Sequence, residues 1–205
     1  GIDKYIENLD LDLSLTLFKV NYEDHIAGWQ SNVNERGSTF AVKNSAGKIK
    51  NQGVELSTSK LLQDNYKVNF NYTYTDSYDG EDCDNPNKRA ADCIDEQGVL
   101  VPRHSMNAKL AKNINNLNLA VKAKYVGEMR DYGNFNSVVL FNKYTTSHDM
   151  ILKHYATFDI LANLNAGNGK VYFFNLKNIL NKDYETGHQY KGMDRNLNFG
   201  IKTGF

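Results

Sequence analysis

A period of two dominates this sequence. Leu9, Leu11, Leu13, Leu15 and Leu17 alternate with Asp10, Asp12, Ser14 and Thr16. Tyr66, Val68, Phe70, Tyr72 and Tyr74 alternate with Lys67, Asn69, Asn71, Thr73 and Thr75. The same beat returns in Leu117–Tyr125, in Tyr155–Leu164, in Val171–Asn178 and in Asn196–Phe205, where Leu197, Phe199, Ile201, Thr203 and Phe205 oppose Asn196, Asn198, Gly200, Lys202 and Gly204. Successive side chains of a strand point to opposite faces, so each run predicts a strand with one apolar and one polar side. Carboxylates and hydroxyls buried without partners are costly, so the polar side must be wet. No stretch carries the 3.6-residue period of a helix.

The connections between these runs add a second constraint. They alternate in length: long at 21–37, short at 61–65, long at 77–98, short at 113–116, long at 129–153, short at 165–169, long at 179–194. The first strand is expected to run on through Phe18 and Val20 towards Trp29, with a bulge near Lys19, and its return strand to cover about 40–60; Gly1–Ile6 reads as the tail of an earlier strand. A β-sandwich has no reason to keep strict alternation, whereas outer-membrane barrels have short turns on one side and long loops on the other. The expected fold is all-β: an antiparallel, up-and-down transmembrane barrel wall of about eight strands.

Composition agrees. Only 40% of the 205 residues are apolar, mean hydropathy is -0.59, and no apolar run is long enough for a membrane helix. Barrel strands need only ~10 residues and keep their inward half polar. The 24 basic and 24 acidic residues cancel, which gives no argument for nucleic acid. Thirteen Tyr and ten Phe suit strands and interfacial girdles.

Asn178-Ile179-Leu180-Asn181-Lys182-Asp183-Tyr184, then Gly192-Met193-Asp194-Arg195-Asn196, then a strand ending in Phe, resembles the C-terminal signature of TonB-dependent outer-membrane receptors. Gly53-Val54-Glu55-Leu56 and Val101-Pro102-Arg103-His104-Ser105-Met106-Asn107 are similar to two earlier segments of that family, in the right order. The resemblance implies that residues 1–205 are the C-terminal part of a barrel of about 22 strands. A plug domain and a TonB-contacting box would then lie outside this chain. It also implies that Asn198, Gly200, Thr203 and Phe205 form the terminal signal read by the barrel-assembly machinery, with Thr203 a weak fit at an apolar slot.

Candidate sites lie in the long connections. Cys83 and Cys93 read as a local disulfide, or as two free thiols. Asp79, Glu81, Asp82 and Asp84 begin an acidic loop that could hold Ca²⁺ through oxygens, although the spacing is not that of an EF-hand and a solvated loop serves equally. Trp29, Tyr132, Phe135, Tyr184 and His188 are the candidate ligand contacts, with an upper girdle as the alternative role for the loop aromatics. His25, His104, His148, His154 and His188 could bind a metal or a metal chelate, but ordinary polar loop residues are the first reading. Lys67, Lys109, Lys122, Lys124, Lys170, Lys177 and Lys202 are expected on the wet face, against water or a plug. No nucleophile–base set or phosphate loop appears, so no enzyme is expected. The reading is an outer-membrane receptor of a Gram-negative bacterium, importing an iron–siderophore, haem or cobalamin-like ligand. The alternative is a small independent barrel acting as adhesin or structural surface protein.

Overall fold

The computed structural model describes residues 1–23, 26–34, 37–44, 48–80, 97–133 and 148–204, and side chains within 26–34, 37–44, 48, 79–80, 132–133 and 148–149 are left aside. Fifteen strands make one large sheet and three two-stranded hairpins among these residues. The large sheet contains β1 (Ile2–Ile6), β2 (Leu11–Tyr22), β5 (Lys48–Leu61), β6 (Tyr66–Gly80), β7 (His104–Ile114), β8 (Leu117–Val126), β11 (Tyr155–Gly167), β12 (Lys170–Lys177) and β15 (Asn196–Thr203). They lie in that order and every pairing is antiparallel. The hairpins β3–β4 (Ile26–Asn34, Gly37–Asn44), β9–β10 (Met129–Gly133, His148–Leu152) and β13–β14 (Glu185–Gly187, Tyr190–Lys191) grow from three of the long connections.

The sheet is therefore an up-and-down meander, with nine strands where about eight were expected, because Gly1–Ile6 contributes β1. β1 and β15 pair on one side only and not with each other. The chain thus presents a barrel wall, and the independent closed barrel finds no support in this topology.

Register separates the two faces across the whole sheet. Val68, Leu110, Val121, Ile160, Leu176 and Leu197 form one cross-strand row from β6 to β15. Asp12, Ser59, Asn69, Lys109, Lys122 and Asp159 form an adjacent row on the opposite face, from β2 to β11. A slip of one residue would invert this pattern in every strand. The apolar face has no covering layer: Leu17 is 71% exposed, Phe199 76% and Ile201 56%. Unburied apolar area on this scale opposes a water-soluble sandwich and suits contact with lipid.

Two aromatic residues sit on the wet face, and each covers a glycine. Phe18 pairs with Gly53 and Phe173 with Gly200. A Cβ at Gly53 would stand 2.0 Å from Tyr74 O and 2.7 Å from Phe18 Cζ, and one at Gly200 would stand 2.8 Å from Phe173 Cζ. Ring-over-glycine pairs pin register, which explains Gly in Gly53-Val54-Glu55 and at the terminal motif.

The short turns use residues that tolerate positive φ: Asp10, Asp64, Asn65, Asn115, Asn168, Gly167 and Gly169. At the 165–169 turn, Gly167 N–H donates to Asn165 Oδ1 at 3.0 Å. Lys60, Lys112 and Lys170 emerge on the apolar face at this end, since Lys170 shares its strand side with Tyr172 and Phe174. Lys170 thus corrects the expectation that it faces the wet side. Lys112 Nζ stands 4.1 Å from the centre of the Tyr66 ring, the arrangement of an interfacial aromatic with a snorkelling cation.

Several boundaries differ from expectation. β2 pairs with β5 without a bulge at Lys19 and ends at Tyr22, while Trp29 lies in β3 opposite Val42. The expected 40–60 strand is split into β4 and β5. β6 runs on to Gly80, opposite Lys48, and β7 begins at His104 rather than Val101. Hydrophobic patterning finds strands that face lipid; these extensions are held by backbone pairing, which leaves no such trace.

Candidate functional site

The wall's only buried apolar cluster among the described residues lies at the long-connection end: Val126, Met129, Leu152 and Tyr155, with Tyr184 packed on it. β8 supplies Val126, the β9–β10 hairpin Met129 and Leu152, and β11 Tyr155. Over this cluster folds the segment 178–195.

That segment is held by asparagines in left-handed conformations. Asn178 (φ 48) and Asn181 (φ 49) adopt backbone angles that asparagine tolerates better than most residues. Asn178 is 4% exposed; its Nδ2 donates to Lys182 O at 2.9 Å and Met193 O at 3.0 Å, and its Oδ1 accepts from Lys182 N at 2.9 Å. Its own N–H donates to Asp159 Oδ1 at 2.9 Å. Asn181 Oδ1 accepts from Arg195 N at 2.9 Å. The Tyr184 ring stacks on Tyr155, with centroids 4.2 Å apart and planes inclined by 26°. Gly192 N–H donates to Tyr184 O at 2.7 Å, and a Cβ there would stand 2.2 Å from the Tyr184 ring. Asn-x-x-Asn-x-x-Tyr…Gly is thus a description of one loop clasp.

Two concavities flank the clasp. One, of about 400 Å³, is lined by Ile151 to His154, Lys182 to Glu185 and Lys191. Lys191 Nζ lies 3.0 Å from Asp194 Oδ1 and 3.5 Å from Asp183 Oδ1. The hydrogen bond to Asp194 and the charges of both carboxylates raise its pKa. The other, of about 570 Å³, is lined by residues including Arg103, His104, Tyr125, Glu128, Arg130 and His154. Beside it, Gln97 stands in for a missing stretch of strand. Its Nε2 donates to Thr75 O at 3.1 Å and Val101 O at 3.3 Å, and its Oε1 accepts from Ser77 N at 3.3 Å and Arg103 Nε at 3.1 Å. Arg103 also approaches Asp76 at 4.0 Å, while the Tyr72 hydroxyl is 2.9 Å from His104 Nδ1. The Val-Pro-Arg-His segment therefore splices the tip of β6 to the start of β7. These walls offer cations, carboxylates, imidazoles and ring faces, and so reversible binding.

Of the residues singled out from sequence, Tyr184 is engaged in the clasp. His188 is half-buried, with its N–H donating to Asp131 Oδ2. Trp29 and Tyr132 lie on β3 and β9, where only the backbone is described. Phe135, Cys83, Cys93, Glu81, Asp82 and Asp84 lie outside the described residues, as does the side chain of Asp79, so the acidic Ca²⁺ candidate falls there. Asn198 pairs with Asn175 on the wet face, Gly200 lies under Phe173, Thr203 pairs with Lys170, and Phe205 is outside the described residues. No trio of His, Cys, Asp or Glu converges as a metal site among the described residues. Sequence reasoning missed Gln97 and a girdle built from strand residues, and it held Asn178 and Gly192 only as members of a motif, not as the groups that close the loop. Tyr72 and Tyr74 meet His104, and Tyr125 meets His154 across 6.1 Å. The signal was tyrosine at the ends of alternating runs.

The TonB dependent receptor-like β-barrel family model matches residues 1–179. No curated protein matches the chain. Among solved structures it is similar to the ferric-catecholate import receptor Fiu of E. coli K12 (TM-score 0.65, 18% identity, 99% of this chain and 26% of that one). It is similar to the pyoverdine receptor FpvA of Pseudomonas aeruginosa PAO1 (0.66, 18%, 96% and 27%) and to the FrpB iron transporter of Neisseria meningitidis (0.67, 17%, 94% and 29%). At these identities the likeness concerns the fold. The chain spans little more than a quarter of the length of each of the three.

Proposed function

This chain belongs to the TonB-dependent receptor β-barrel family, and from that membership we propose that it is the C-terminal wall of an outer-membrane receptor importing a scarce nutrient with energy delivered through TonB. The family is one of transporters, not enzymes. The observation that carries the reading is the separation of a lipid-type face from a wet face, with an apolar row running from β6 to β15 and a polar row from β2 to β11 on the opposite side. The short turns then lie in the periplasm and the clasp with its two concavities lies at the external mouth. A plug domain outside this chain fills the interior, and the terminal strand, with Asn198, Gly200, Thr203 and Phe205, is read by the barrel-assembly machinery.

The favoured cargo is an iron chelate. The similar structures include receptors for ferric catecholates and for pyoverdine, and Lys153 and Lys182, in the concavity that also holds Asp183, Glu185 and the ion-paired Lys191, offer cations to an anionic ligand. Trp29, Tyr132, Phe135 and His188 are the further contacts proposed from the mouth. Haem and cobalamin-like ligands are the alternatives. The test is uptake of labelled ferric chelates by cells with and without the gene for the full-length receptor. Uptake lost on deletion, restored by complementation and abolished without TonB is the expected result. Unchanged uptake of every iron chelate, haem and cobalamin after deletion would sink the transport reading.

A further inference from the structure

Cross-strand parity shows which way the larger concavity opens. The apolar side of β7 carries Leu110, Ala108 and Met106, and His104 is the next residue on that side, opposite Tyr74 of β6. On β8 the same side reaches Tyr125, which stands opposite Ala156 of β11, and His154 lies two residues beyond Ala156. Imidazoles thus replace apolar side chains just past the tyrosines on neighbouring strands, which marks the edge of the lipid band. The β9–β10 hairpin keeps the same division. Met129 and Leu152 pair with each other and enter the buried cluster, whereas Arg130 and its partner Ile151 alternate to the other side, where Ile151 is 62% exposed. His104, Tyr125, Arg130, Ile151 and His154, together with Arg103, line the concavity of about 570 Å³. It therefore opens on the lipid side of the wall, at headgroup height, and not onto the pore. Gln97 sets two cations on its rim: Arg103 Nε donates to Gln97 Oε1 at 3.1 Å, and Arg130 Nη1 donates to Gln97 O at 3.4 Å. The carboxylates near them are exposed and engaged elsewhere or only loosely, Glu128 with His154 at 3.7 Å and Asp76 with Arg103 at 4.0 Å. Two guanidiniums against the one lining carboxylate leave the concavity cationic.

We propose that Arg103 and Arg130 bind the phosphate of an outer-leaflet lipid headgroup, with the carbons next to that phosphate lying against Tyr125 and Ile151. Guanidinium donors match phosphate oxygens two at a time, and basic pockets at a membrane surface take anionic headgroups. The proposal rests on the membrane placement in the reading above, with the long connections outside, and not on the identity of the cargo. A solute bound for the pore does not pass this side of the wall, whereas lipid headgroups are always beside it. A lipid seated there braces the β9–β10 hairpin from outside, while the 178–195 clasp packs on the cluster beneath it.

The test uses the purified full-length receptor in a neutral detergent, with bound lipid counted by native mass spectrometry. It is titrated with bis-phosphorylated lipid A, with the same lipid stripped of its phosphates, and with inorganic phosphate. One variant carries Arg103→Gln with Arg130→Gln, and a milder one Arg103→Lys with Arg130→Lys. The control is Lys112→Gln, which removes a cation from the same face at the short-turn end. Wild type should bind the phosphorylated lipid saturably. Loss of the phosphates, or the glutamine pair, should weaken binding about tenfold, the effect of losing a charge-assisted contact. The lysine pair should weaken it less and the control not at all. A heat-modifiable band reports folding, and if the glutamine pair does not fold, the lysine pair decides. Wild-type affinity in the folded arginine variants overturns the proposal, as does an equal loss in Lys112→Gln. So does equal affinity for the stripped lipid, or for inorganic phosphate, which would make this a site for the free ion. A wild type that yields no folded band in the outer-membrane fraction would instead defeat the membrane placement, and this proposal with it.

Discussion

Ala108→Arg tests the facing of the whole wall. Along β7 the residues on the apolar side are His104, Met106, Ala108, Leu110, Lys112 and Ile114. Polar groups, His104 and Lys112, bracket Ala108 four residues away on either side. Four residues of strand cover ~14 Å, or ~10 Å of depth at a tilt of about 45°, so the bracketed band is ~20 Å tall, close to the ~25 Å apolar band of such barrels. Ala108 therefore lies near the bilayer midplane. An arginine there should cost ~2–4 kcal/mol, and alanine leaves little packing to lose on replacement. Asn107→Arg, one residue away, points to water beside Lys124 and should cost well under ~1 kcal/mol. Reversible guanidinium unfolding of the full-length protein in lipid vesicles, followed by the mobility shift of the folded barrel, gives both values in one series. Equal costs for the two arginines, or a larger cost for Asn107→Arg, would refute the face assignment and the membrane reading with it.

Asn178→Ala removes three side-chain hydrogen bonds from a buried site and leaves alanine at a left-handed φ; it should cost ~2–4 kcal/mol and open the 178–195 loop to limited proteolysis. Gly192→Val drives a side chain into the Tyr184 ring and should cost ~1–3 kcal/mol, whereas Tyr184→Ala on the same background should recover part of it, a coupling that a double-mutant cycle reads directly. Because Lys191 is held above the ordinary lysine value of 10.5, its ion pairs are complete below that pH and are lost only as pH rises through the raised value; protease resistance of the loop should stay flat from neutral to mildly alkaline pH and fall beyond it. Deleting Phe205 should lower outer-membrane levels of the receptor, checked by fractionation; unchanged levels would remove the terminal-signal reading.

The faces were legible because alternation is a property of the pleat, set by each strand alone. Leu13 beside Ser14, and Phe70 beside Asn71, declare two environments without any neighbour. Alternating connection lengths then order the strands into a meander, since antiparallel neighbours are joined by the shortest available turns. The candidate site was legible only as a place. Its loop motif was recognisable, but the reason for it was not: Asn178 reaches Met193, and Gly192 makes room for Tyr184, only once the chain has folded back on β11. Lys170 was misassigned because a lysine at a strand end follows the parity of its own strand, and at the water boundary a cation is stable on either face. Lys109 and Lys122 are unremarkable in sequence, thirteen residues apart; register alone sets them opposite each other. Local alternation thus determined what each strand touches, whereas cross-strand register and loop return decided which residues meet. The reason is that pleat geometry acts over two residues and can be read locally, while pairing depends on partners brought together from distant parts of the chain.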